Sequence, residues 1–101
     1  MLYAGWYKSQ LTNAGGTYNS TYKFVSDNWP SGIAHFYWTV YDSNWNTIIN
    51  YSSLTDNYIF SLNDLLTETQ YNNLNYLTIN ATNAEYHDIQ LPSDIKLALL
   101  S

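Results

Sequence analysis

Residues 33–41 read Ile-Ala-His-Phe-Tyr-Trp-Thr-Val-Tyr, and from Ala34 onward the side chains alternate in kind. On an extended backbone Ala34, Phe36, Trp38 and Val40 share one face, and His35, Tyr37, Thr39 and Tyr41 share the other. A helix would scatter these groups around its circumference, whereas a strand sorts them. The segment is therefore predicted as a strand with one buried side. At about 3.3 Å per residue it spans ~30 Å, the height of a small sandwich.

The same period recurs along the chain. Strands are predicted over 2–7, 17–25, 47–51, 57–62, 74–82, 85–91 and 95–100. Turn clusters separate them: Thr-Asn-Ala-Gly-Gly at 12–16, Asp-Ser-Asn-Trp-Asn at 42–46 and residues 52–56. Residues 63–71 carry the one helical signal, with Asn63 as its cap and Leu65 and Leu66 turned inward. Seven to eight short strands in one domain, 1–101, predict an all-β antiparallel sandwich with a short helical turn near 63–71. Eight strands fit a jelly roll equally well. Residues 94–101 are expected to form either the final strand or one exchanged with another copy.

Two segments resemble immunoglobulin-like domains, closest to the polycystic-kidney-type and fibronectin-type repeats of surface proteins. Phe36-Tyr37-Trp38-Thr39-Val40-Tyr41-Asp42 is similar to their central Y-x-W strand. Tyr76-Leu77-Thr78-Ile79-Asn80-Ala81-Thr82-Asn83 is similar to their V-T-L-T-V-T-N strand. The resemblance covers about residues 16–91 and implies an immunoglobulin-like arrangement of the sandwich. The Gly-Asp-Gly turn common in the first group and a cysteine pair are both absent.

Charge narrows the function. Charged residues make up 11% of the chain, there is no Arg, and the net charge is −5. Phosphate backbones and anionic membranes both call for clustered cations, so neither nucleic acid nor a membrane surface is expected as a partner. No apolar run is long enough to span a bilayer, so no membrane insertion is expected. The absence of Cys excludes thiol catalysis and thiolate metal sites. His35 and His87 lie far apart, and no nucleophile motif occurs. No enzyme activity and no cofactor are expected. The surface is instead rich in neutral groups, with 13 Asn, 11 Tyr, 10 Ser and 10 Thr.

Several residues stand out as candidates. Trp29 and Trp45 lie in loops at opposite ends of the long strand, where each either marks a contact or folds back over the core. Tyr37 and Tyr41, with His35, Thr39 and a neighbouring Tyr18 or Tyr22, form a potential stacking face for sugars. Ile95, Leu97 and Leu99 alternate in an apolar tail that either closes its own sheet or pairs with another copy. Asn19, Asn50 and Asn80 are candidate glycosylation acceptors, at a frequency that so much Asn, Ser and Thr produces by chance. Asp42, Asn44 and Asn46 have the oxygen spacing that opens a calcium loop, but Thr47 stands where Gly is needed and Ser53 where Glu is needed.

The leading expectation is a non-enzymatic structural subunit of a virion or of an extracellular surface or filament assembly. Its partners would be other copies or neighbouring structural proteins, met through the two ends and the tail. Residues 1–7 lack the pattern of a signal peptide, which tilts this expectation toward a virion protein assembled inside its host. The alternative is a carbohydrate-binding or adhesin-type module that uses the Tyr/Trp face.

Overall fold

The computed structural model describes residues 2–53 and 59–100, whose strands form two antiparallel sheets packed face to face. The larger sheet runs β1 (Ala4–Tyr7), β6 (Tyr76–Thr82), β3 (His35–Tyr41), β4 (Thr47–Ser53). The two-residue β7 (Asp88–Ile89) shares with β1 the edge of β6 that β3 does not use. The smaller sheet runs β5 (Ile59–Ser61), β2 (Thr21–Val25), β8 (Lys96–Leu100). The fold is an all-β antiparallel sandwich, with eight strands among the described residues.

The core follows from the alternation. Phe36, Trp38 and Val40 on β3 face the other sheet, beside Leu77, Ile79 and Ala81 of β6, and all six are buried. Tyr22 and Phe24 meet them from β2. Phe24 lies at the centre, its ring 4.8 Å from Trp6, 5.3 Å from Trp38 and 4.8 Å from Phe60. A fully buried aromatic with such neighbours is worth about 3–5 kcal/mol against Ala.

Three short helices join the strands among the described residues, where the sequence predicts one. α1 (Lys8–Asn13) contains a single buried residue, Leu11, so it carries no readable period. The Gln10 side chain holds its start by accepting from the Tyr7 N–H at 2.8 Å. The Tyr22 hydroxyl anchors it from the core by donating to the Leu11 carbonyl at 3.1 Å. Gly16 lies against that hydroxyl, and a Cβ there would collide with it. Burial, reinforced by nearby Tyr71, pushes the Tyr22 hydroxyl above the usual tyrosine range.

The predicted helix near 63–71 is divided. Its first part is α2 (Leu62–Leu65), its second is α3 (Glu68–Asn72), and Leu66 between them is extended and buried. Thr67 caps α3 in place of Asn63, with Gln70 closing a reciprocal pair of hydrogen bonds at 2.9 and 3.2 Å.

Other bounds differ as well. The strand predicted over 17–25 begins at Thr21, because Thr17 and Ser20 hydrogen-bond to each other and turn the chain. β4 continues to Ser53, into the predicted turn at 52–56, and the rest of that turn lies outside the described residues.

The tail is a strand of its own sheet. β8 pairs with β2 from Thr21↔Leu100 to Val25↔Lys96, and Leu97 and Leu99 pack on the core together with Ile95.

Candidate functional site

Two hairpin turns at opposite ends of the larger sheet share one backbone design. In the first, the Asp42 carboxylate accepts from the N–H groups of Asn44 and Asn46, each at 2.9 Å. In the second, the Asn83 side-chain oxygen accepts from Glu85 and His87, each at 3.0 Å. The main-chain bonds match too: Trp45 N–H to Asp42 carbonyl and Tyr86 N–H to Asn83 carbonyl, both 3.0 Å. The fourth residue of each turn is left-handed, and in both it is aromatic: Trp45 and Tyr86, each with φ 64°. Gly or Asn normally takes that conformation, because a Cβ crowds the following carbonyl and costs about 1–2 kcal/mol. A bulky ring held there at a local cost is the kind of outlier that marks function.

Both rings lie over the outer face of the larger sheet. Trp45 is 54% exposed. It meets Tyr7 at 6.4 Å, Tyr41 at 6.1 Å and Tyr76 at 5.6 Å between ring centroids. Tyr76 in turn lies across Gly5, where a Cβ would strike its hydroxyl. At the other end Tyr86 stacks flat on His35, at 4.6 Å with 5° between planes.

Between the two ends lies a shallow trough of about 510 Å³, lined by Tyr37, Thr39, Asn50, Ser52, Asn80 and Thr82. Register puts them side by side: Tyr37 pairs with both Ser52 and Asn80, and Thr39 with Asn50. The Thr39 hydroxyl donates to the Asn50 side-chain oxygen at 3.0 Å. The buried Thr82 hydroxyl has no hydrogen-bond partner among the described residues. No lining residue carries a charge. Lys8 lies over the Tyr71 ring, and Lys23 and Lys96 belong to the smaller sheet.

Comparison with known proteins found no matching family model, no matching curated protein and no matching solved structure.

The candidates from sequence separate accordingly. Trp45, Tyr37 and Tyr41 share the outer face, and Tyr76, Tyr7 and Tyr86 join them. Tyr22 does not, being wholly buried, and Tyr18 is half-buried with its hydroxyl on the Leu66 carbonyl at 2.6 Å. Trp29 folds back over the core, edge-on to Phe36 at 6.3 Å. Asn50 and Asn80 line the trough, whereas Asn19 lies in an exposed turn. Asp42 spends one carboxylate oxygen fastening its own turn, with Asn44 and Asn46 supplying N–H donors, so the loop is built as an Asx turn. Among the described residues no group of three metal-ligating side chains occurs, and no helix is long and apolar enough to cross a membrane. Tyr76 and Tyr86 escape sequence reasoning that weighs each segment alone. The signal available for Tyr86 is the shared spacing of Asp42-x-x-Trp45 and Asn83-x-x-Tyr86.

Proposed function

We propose that this chain is a glycan-binding module, displayed on an exterior surface, whose site is the outer face of the β6–β3–β4 sheet. The observation that carries this is the pair of aromatic rings held in left-handed turns over a neutral face of amides and hydroxyls. Sugars offer apolar C–H faces that suit aromatic rings, and hydroxyls that suit Asn, Ser and Thr. The site needs no acid, base or metal, so the module binds without turnover. Titration of a neutral glycan panel, read by tryptophan fluorescence, tests it. A saturable change that Trp45→Ala abolishes in a folded variant is expected, and no response to any glycan overturns the reading.

A second reading has its own support on the other side of the molecule. Val25, Ile59 and Leu100 are 40–43% exposed on the outer face of the smaller sheet, Ile59 on its β5 edge and Leu100 on β8, which has no second partner strand among the described residues. This is the surface through which copies would associate in a structural assembly, in place of the two poles. Light scattering across concentration tests it: Leu100→Lys is expected to disperse oligomers, and a monomer at all concentrations overturns it.

A further inference from the structure

The two aromatic ends are far apart for a site that would hold one sugar ring. Tyr41, under Trp45, is six positions along β3 from His35, under Tyr86, which is about 20 Å at the usual rise per residue. Tyr37, Thr39, Asn50, Ser52 and Asn80 lie between these ends on three adjacent strands, and Thr82 is level with His35. We infer that the ligand is an extended, uncharged oligosaccharide segment lying along β3 and β6, gripped by Trp45 at one end and by Tyr86 on His35 at the other. This inference rests on the glycan-binding reading and adds to it a second anchor, a direction and a charge class.

Charge supports the class. No cation lines the trough, so nothing there compensates a uronate, sulfate or sialate. Glu85 lies in the Tyr86 turn, and Asp88 pairs with Thr82 on the same face as His35, so the acidic groups near that end repel an anionic chain. Direction follows from the walls. Along β3 the face ends in the Trp45 and Tyr86 rings, whereas across the strands it ends at the edge strand β4, where Asn50 and Ser52 offer amide and hydroxyl groups. A chain laid along the strands meets both rings, and one laid across them meets at most one. Tyr86 is 66% exposed and among the described residues its ring meets His35 alone, which leaves its other face for stacking.

Calorimetric titration with neutral cello-, manno- and xylo-oligosaccharides of two to six units tests this, with oligogalacturonate of matched length as the anionic control. In one neutral series affinity is expected to rise at least tenfold from the shortest to the longest member, with no binding of oligogalacturonate. Tyr86→Gly, which suits the left-handed turn, is expected to reduce the longest oligomer to about the affinity of the shortest. Tyr86→Asn, which tolerates the same conformation, serves as the second variant. Affinity independent of length, an unaltered long oligomer in both variants, or equal binding of the anionic series overturns the extended neutral site while the glycan-binding reading stands. Absence of binding by every probe, at every length, defeats both.

Discussion

The turns at 42–46 and 83–87 have the same hydrogen bonds and the same left-handed aromatic, yet they are held in different ways. Trp45 leans on three tyrosines from β1, β3 and β6, whereas among the described residues Tyr86 rests on His35 alone. The first turn is fastened by a carboxylate and the second by a neutral amide. One backbone solution thus serves a packed aromatic corner at one end and a thinly supported ring at the other. The difference teaches that the conformation is set by the Asx side chain and not by the ring it displays.

The largest effect is expected from removing that fastening. Asp42→Ala should cost about 2 kcal/mol and Asn83→Ala about 1 kcal/mol, because bonds to a charged acceptor are the stronger. Denaturant unfolding measures both, and a larger loss for Asn83→Ala would break the argument. Next come the rings. Trp45→Gly gains about 1 kcal/mol from relief of the left-handed strain but loses three ring contacts, for a net loss of ~1 kcal/mol. Tyr86→Gly gains the same and loses one, so its stability should stay within about 0.5 kcal/mol of the parent. If Tyr86→Gly is clearly destabilising, the ring is structural and not displayed.

Smaller effects sharpen the asymmetry. Gly5→Ala forces the Tyr76 ring aside and should shift the emission of Trp45, at a stability cost of about 1 kcal/mol, while binding at the Tyr86 end persists. Asp94 lies at neither turn and gives a control. Its carboxylate accepts from the Ser26 hydroxyl, the Asp27 N–H and the Asn28 amide, and these bonds hold it below the usual carboxylate range, the Ser26 bond most strongly. A carboxyl lowered in the folded state contributes stability above its ordinary value and loses it as pH falls through the lowered one. As pH falls below the ordinary carboxylate range, melting should therefore decline more in the parent than in Asp94→Asn.

Much of the framework is legible in the sequence. The alternation of 33–41 assigns Phe36, Trp38 and Val40 to the core and Tyr37 and Tyr41 to the outer face, as observed. The predicted strands over 33–41 and 74–82 become β3 and β6, which pair at the middle of the larger sheet. The rest was hidden for physical reasons. α1 has one buried side chain and so no period. The helix at 63–71 breaks at Leu66 because that residue is drawn into the core. Tyr18 and Tyr22 continue an alternation that reads as a sugar face, but β2 belongs to the other sheet and carries Tyr22 inward.

The site itself was half readable. Its polar floor comes from single-strand patterning, and its aromatic walls come from turns that place Trp and Tyr where local preference puts Gly or Asn. By itself the sequence determined which strands exist and which of their faces are apolar, because a period of two is fixed by the backbone. Tertiary structure alone decided which strands became neighbours, which tyrosines met across them, and that two turns far apart in sequence would overhang one face. Those outcomes depend on register and closure between distant segments, which local spacing does not encode.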